Sequence, residues 1–223
     1  NPDEVLILAG DHVYKMNYAT MIDFHRQVDA DLTVGVVEVD KSQSIHLGVL
    51  EVDTRGTVKD FQEKPQKPKT ILEHPDKIYA SMGIYVFKHR VIEQFLHEDA
   101  RKKNSSHDFG KDIIPQMVKS GLKIVAFNFI DENRKEALYW RDIGTIDAYY
   151  EANMDLVEIN PVCNLYDMNW PIRTYQEQFP PAKTVFAGGE ITGRVGLALD
   201  SIVSGGCIIS GGQVKRSILS PNV

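Results

Sequence analysis

Only two cysteines, Cys163 and Cys207, occur in the 223 residues, and they lie far apart. That excludes a disulfide framework and a zinc-ligand pattern, and it fits a reducing compartment. No apolar run approaches the ~20 residues needed to span a bilayer, and no signal-peptide pattern is visible. Positive charge is in short supply: 25 Lys and Arg face 31 Asp and Glu, for a net charge of −6. Without a basic stripe, neither a nucleic-acid footprint nor a membrane surface is expected as a partner. A mildly acidic chain still binds phosphates where a few cations or a Mg²⁺ ion gather locally.

Several motifs are also missing. The sequence has no G-x-x-x-x-G-K-[ST] loop and no G-x-G-x-x-G turn, so a P-loop kinase and a dinucleotide dehydrogenase lose support. No G-x-S-x-G elbow of a serine hydrolase is present either. What remains is ordinary globular composition, 43% hydrophobic and 25% charged, enough for one large domain or a main domain with a smaller annex.

The pattern along the chain is α/β. EVLILAG, residues 4–10, is a continuous apolar run, as expected of a strand buried on both faces in a parallel sheet. Asn17 is placed to cap a helix whose Met21, Phe24 and Val28 share one face. LTVGVVEV, residues 32–39, is a second strand. Strand, helix, strand argues for a right-handed crossover unit. Residues 48–52 and 57–61 flank a turn at 53–56 and predict a hairpin. Residues 66–76, rich in proline, predict an exposed loop. Further strands are expected at 81–88 and 122–129. Between them, Ser106 or Asp108 caps a helix carrying Ile113, Ile114, Met117 and Val118, which Gly121 ends. A last helix starts near Thr145 and runs to about Glu158. Beyond Asn160-Pro161 the chain loses periodicity, and then IVSGG and IISGG recur six residues apart. A six-residue apolar period predicts a parallel β-helix of hexapeptide turns, with a glycine-rich hairpin as the alternative. The expected divisions are 1–160, a linker at 161–190, and the start of the β-helix at 191–223.

Candidate chemistry collects at a few points. Asp11 ends a strand, and ligands of open α/β sheets gather at the carboxyl ends of strands. Its carboxylate reads either as a Mg²⁺ ligand or as an Asx-turn. His12 is expected to pack or hydrogen-bond locally. Asp142 follows LYWR and precedes a helix, an arrangement like that of Asp11. It reads as a second metal carboxylate, as a salt-bridge partner of Arg141, or as a helix cap. Glu63-Lys64-Pro65 offers a carboxylate for sugar hydroxyls and a compact cation for a phosphate monoester, or an exposed ion pair. Ser81-Met82-Gly83 offers a hydroxyl that donates to a ligand and a glycine that allows its close approach, or plain strand-entry geometry, and Gly48 has the same two readings. Residues 105–112 read best as a capped helix start.

Taken together, LAGDHVYKMNY, FQEKP, ASMGIYVF, NSSHDFGKDIIP, YWRDIGTIDAYYEAN, MNWPIRTY and VSGGCIISGG resemble the glucose-1-phosphate adenylyltransferase family, or ADP-glucose pyrophosphorylases. The resemblance runs in order through nearly the whole chain. G-D-H and E-K-P alone occur across many sugar nucleotidyltransferases. ASMGIYVF, SSHDFGKDIIP and NWPIRTY together are specific to the ADP-glucose branch.

The resemblance implies a Rossmann-like nucleotidyltransferase fold, a mixed and mostly parallel sheet flanked by helices, followed by a left-handed parallel β-helix. It implies adenylyl transfer from ATP to glucose 1-phosphate, giving ADP-glucose and pyrophosphate for glycogen or starch synthesis, with Mg²⁺. By resemblance, Asp11 and Asp142 hold the metal, and Lys64 holds the sugar phosphate. Gly48, Glu63 and Ser81 line the glucose 1-phosphate pocket. Allosteric control, a homotetramer or heterotetramer, and a cytoplasmic location (a plastid in a plant) are further implications. The family's G-G-x-G-[ST]-x-L loop and its W-[FY]-x-G-T-A motif are not in these residues. The sequence is therefore expected to be an internal piece of a longer protein, and residues 1–223 alone are expected to be inactive. A non-catalytic regulatory subunit and a relative using another nucleoside triphosphate stay open at this point.

Overall fold

A computed structural model describes residues 2–131, 136–185 and 193–223. The chain divides into two compact units, residues 1–140 and 141–223. The boundary expected at residue 190 falls in 186–192, outside the described residues.

The first unit is built on a six-stranded sheet. Its elements in order are β1 (Glu4–Leu8), β2 (His12–Tyr14), α1 (Tyr18–Gln27), β3 (Leu32–Asp40), β4 (Gly48–Val52), β5 (Val58–Glu63), β6 (Lys77–Lys88), α2 (His89–Ala100), α3 (Ile114–Lys119) and β7 (Ile124–Asn128). Two short strands follow, β8 (Ile130–Asp131) and β9 (Glu136–Ala137). The order across the sheet is β5-β4-β6-β3-β7, with β1 also on β6.

The sheet is mixed, as expected. The finer expectation of a mostly parallel sheet holds for strand directions but not for neighbours. β1, β3, β4 and β7 run one way and β5 and β6 the other. Because the long β6 lies between β3 on one side and β4 and β1 on the other, β3–β7 is the parallel neighbour pair in this sheet, and its other described pairs are antiparallel. β1 was also expected to be buried on both faces. It is half-buried and pairs antiparallel with β6.

Strand alternation sorts the core onto the two faces. Ala80, Met82, Ile84 and Val86 of β6 pack with Met21 of α1 on one face. Tyr85 and Phe87 point the other way, into a cluster with Ile92 and Phe95 of α2 and Ile114 and Met117 of α3. Each large side chain fully buried this way contributes about 1.5–3 kcal/mol. Asn17 caps α1, its side chain accepting from Ala19 N–H at 3.1 Å. Met21 and His25 are the buried residues of that helix, with Phe24 and Val28 half-buried beside them. The 53–56 turn forms as expected: Gly56 takes φ +80° and its N–H donates to the Asp53 carbonyl at 2.9 Å. Asp108 rather than Ser106 caps the helix before β7, accepting from Lys111 N–H, and a widened turn over Phe109–Ile113 leads into α3. α2 is additional to the elements expected above. Its buried Ile92, Phe95 and Asp99 keep helical spacing.

β6 carries a bulge. From Ser81 to Tyr85 it takes four steps while β3 takes two, from Val36 to Val34. Gly83 in the middle adopts φ +67°, a conformation open to glycine at little cost. A β-carbon there would lie 2.8 Å from Ala9 Cβ and 2.9 Å from His12 Cε1.

The strand β10 (Trp140–Asp142) straddles the boundary between the units. In the second unit, α4 (Ile146–Asp155) begins at Thr145, whose hydroxyl accepts from Ala148 N–H at 3.2 Å. No regular element occurs between α4 and β11 (Lys183–Val185). Then come β12 (Leu197–Leu199), β13 (Ile202–Val203), β14 (Ile208–Ser210), β15 (Gln213–Lys215) and β16 (Ile218–Leu219). β11 pairs with β14, β12 with β15 and β13 with β16, all parallel. These are stacked coils of a β-helix rather than a hairpin. The corners repeat as well: Asp200 and Arg216, and Gly206 and Asn222, all have positive φ. One detail differs from the six-residue reading. Ile208 is 55% exposed, while Cys207 and Ile209 on either side of it are buried, because alternation along β14 sends those two inward.

Among the described residues no helix is long and apolar enough to cross a membrane.

Candidate functional site

Four of the expected site residues lie together in the first unit. β4 and β5 pair so that Gly48 faces Glu63. Val49 faces Ala80 across β4 and β6, which brings Gly48 level with Ser81. Glycine is required at position 48 by its surroundings: a β-carbon would sit 2.7 Å from Phe61 Cζ and 3.1 Å from Glu63 Oε2. Lys64 leaves β5 with φ +51°, its N–H donating to the Leu47 carbonyl at 3.0 Å. Its side chain is 57% exposed, and its ammonium stands 4.0 Å from Glu63 Oε1. The ion pair expected from the sequence is thus long and open to solvent. A surface pair of this kind contributes little to stability, which leaves the ammonium available to a phosphate.

Three residues join this group that the motif reading did not single out as ligands. Tyr85 OH is 3.1 Å from Ser81 Oγ, across the β6 bulge. Burial pushes the Tyr85 phenol up to about 12, so it stays a neutral hydrogen-bonding group. Gly110 lies against Glu63, since a β-carbon there would be 2.6 Å from Oε2. Asp108 caps the adjoining turn and its Oδ1 would be 3.4 Å from that same β-carbon. The signal for Asp108 and Gly110 was in SSHDFGKD, where the dense polar pattern read as a helix start. It is a helix start, and it also carries a carboxylate toward Glu63.

Burial raises the Glu63 carboxyl above its ordinary value; Lys64 works against this, Asp108 adds to it, and Lys111 opposes it. Glu63 therefore stabilises the fold below its unfolded pKa, and that gain is lost as pH rises through the folded one. Glu63→Gln is expected to melt higher than the parent at pH 8, by about 1–4 °C, and to match it near pH 4. A Tm difference that shrinks with rising pH contradicts this.

Asp11 stands apart from that group in sequence, just beyond β1. Its side chain is 61% exposed and lies 3.5 Å from His12 Nε2. His12 is only 10% exposed. Its Nδ1 meets the Met82 carbonyl at 2.7 Å, and its ring meets Trp140 edge-on with centroids 4.8 Å apart.

Asp142 belongs to the second unit. Its Oδ1 accepts from Gly144 N–H at 2.7 Å, so the Asx-turn geometry weighed for Asp11 occurs here. Two neighbours bear on the alternatives weighed for Asp142. Arg141 pairs with Asp155, its Nε 2.8 Å and Nη2 3.1 Å from the two carboxylate oxygens, and Thr145 is the helix cap. Both aspartates present hard carboxylate oxygens, the donor type Mg²⁺ prefers, and Asp11 presents its oxygens to solvent.

A mixed sheet with a phosphate-suited lysine beside its strand ends, joined to β-helix coils, defines a class. The family model for nucleotidyl transferases matches residues 1–159, and one for a GlmU-like C-terminal hexapeptide matches residues 180–223. The chain belongs to the nucleotidyl transferase family, with a left-handed β-helix of hexapeptide repeats following. Within that family it is similar to proteins named glucose-1-phosphate adenylyltransferase. It is 54% identical to the one from Koribacter versatilis, over all of this chain and 52% of the relative. Identity is 52% to that of Rhodopirellula baltica, over 98% of this chain and 49% of the relative. It is 48% to that of Nitrosococcus oceani, over all of this chain and 52% of the relative. The chain spans about half the length of the curated relatives it matches.

Proposed function

We propose that this chain is the part of a glucose-1-phosphate adenylyltransferase that binds glucose 1-phosphate and the catalytic metal. The observation that carries the reading is similarity at 54% identity along all 223 residues to a protein of that name. The clustering of Gly48, Glu63, Lys64 and Ser81 in the first unit supports it.

In the reaction, a phosphate oxygen of glucose 1-phosphate attacks the α-phosphorus of ATP, and the bond to the β-phosphate oxygen breaks. ADP-glucose forms and pyrophosphate leaves, with no protein nucleophile. The difficulty is electrostatic, since two dense anions must approach in line. Lys64 neutralises and positions the attacking phosphate. Glu63, as an ionised acceptor, orients the sugar by its hydroxyls. Ser81 and Tyr85 complete the wall, and Gly48 lets Phe61 and the Glu63 carboxylate pack close against β4. Nucleotidyl transferases of this kind use a divalent metal. Asp11 and Asp142 would hold Mg²⁺, which when bound supplies charge neutralisation at the reacting phosphates.

The proposed divisions are a nucleotidyltransferase region at 1–160, a linker at 161–190 and a β-helix start at 191–223. The enzyme is proposed to work as a tetramer in the cytoplasm, supplying glycogen or starch synthesis.

Incubating the full-length protein with glucose 1-phosphate, Mg²⁺ and each of ATP, UTP, dTTP and GTP tests the reading. ADP-glucose from ATP, at least tenfold over the other products, is expected. A dominant UDP-, dTDP- or GDP-sugar overturns the nucleotide assignment, and no product with any of the four overturns the catalytic one.

A further inference from the structure

His12 has more order than a packing role needs. Its Nδ1 sits 2.7 Å from the Met82 carbonyl. A carbonyl oxygen only accepts, so Nδ1 carries a proton, which leaves Nε2 as the ring nitrogen through which His12 can bind a cation. That nitrogen faces Asp11 Oδ1 at 3.5 Å. The ring is held there on two sides. Gly83 of the β6 bulge has no side chain, and a β-carbon would lie 2.9 Å from His12 Cε1. Trp140 closes the other side, edge-on at 68°.

Packing would be satisfied by the ring contacts and the Met82 bond alone. It does not require Nε2 and a solvent-facing carboxylate oxygen to converge at 3.5 Å while Nδ1 is already turned to a carbonyl, and both are atoms that can bind one cation. A metal-bound histidine typically donates its second ring N–H to a backbone carbonyl, which fixes tautomer and orientation. His12 has that arrangement before any metal arrives.

The geometry points to His12 Nε2 as a nitrogen donor to the divalent cation held at Asp11. This rests on the proposed assignment of Asp11 to the metal. A nitrogen donor beside carboxylates makes the site more receptive to Mn²⁺ and Co²⁺ than an all-oxygen site. His12 thus tunes which cation the enzyme accepts, and the β6 bulge at Gly83 is the device that aims it.

Pulsed electron paramagnetic resonance of the full-length protein loaded with MnCl₂ alone tests this. Nitrogen modulation on the bound Mn²⁺ is expected, changing to the ¹⁵N pattern when the histidines are ¹⁵N-labelled, which needs no substitution. In His12→Asn, which keeps an N–H for the Met82 carbonyl, the modulation is expected to vanish and Mn²⁺ affinity to fall about 10-fold. His12→Gln serves if that variant does not fold. Bound Mn²⁺ without nitrogen coupling, or coupling that survives in the variant, overturns the role of His12. Mn²⁺ affinity unchanged in Asp11→Asn overturns the metal assignment beneath it, so the two failures are told apart.

Discussion

Asp11→Asn in the full-length protein is expected to lower kcat by about 10³-fold, with Tm almost unchanged. The size follows from losing several kcal/mol of charge stabilisation in the transition state, at about 1.4 kcal/mol per factor of ten. The small effect on folding follows from exposure. The Asp11 side chain is 61% open to solvent, and its replacement by an amide of equal size leaves no buried group unpaired. Asp142→Asn is expected to cost kcat about as much. The amide keeps an oxygen for the Asx-turn made with Gly144 N–H, so Tm is expected to change little there too. Steady-state kinetics and thermal melts on the same preparations check both. Near-normal turnover in both variants contradicts the metal assignment.

For Lys64→Ala, the KM for glucose 1-phosphate is expected to rise about 100-fold while that for ATP moves less than threefold. A charge-assisted contact to phosphate is worth about 1.5–3 kcal/mol. In the proposed site the lysine holds glucose 1-phosphate and not ATP, so the loss falls on one KM. Lys64 lies at a fixed place because its backbone turns at φ +51° and hydrogen-bonds to Leu47, and its side chain is more than half exposed. Its pairing with Glu63 at 4.0 Å is too long and too wet for the substitution to unfold the protein. Equal effects on both KM values contradict the sugar-phosphate role.

Most of the architecture was legible because local rules and tertiary packing agree. Asn17 caps the helix it was expected to cap, the turn at residues 53–56 is built on Asp53 and Gly56, and the strands of IVSGG and IISGG each pair in parallel with a strand of a neighbouring coil. The neighbours of β6 were not legible. Apolar runs report burial and not pairing partners, and nothing local tells that residues 77–88 insert between β3 and β1. The β6 bulge was hidden for the same reason. SMGIYVF reads as an even strand, and only the register against β3 shows the extra steps at Gly83.

In the candidate site, Gly48 and Glu63 could be singled out one at a time from residue type. Their adjacency could not, because it depends on the β4–β5 register. Asp108 and Gly110 were masked by their own local role, a helix cap being enough to explain them. The orientation of His12 was not legible either, because an imidazole next to an acid is ordinary in sequence. Its meaning comes from the Met82 carbonyl, 70 residues away in the chain.

Crystals of the full-length protein grown with Mn²⁺ and glucose 1-phosphate, measured at the manganese absorption edge, test the central claim most directly. The account predicts one anomalous peak bonded to Asp11 and Asp142, with the sugar phosphate against Lys64 and a glucose hydroxyl on Glu63. Manganese bound away from both aspartates, or the sugar phosphate bound away from Lys64, would contradict it.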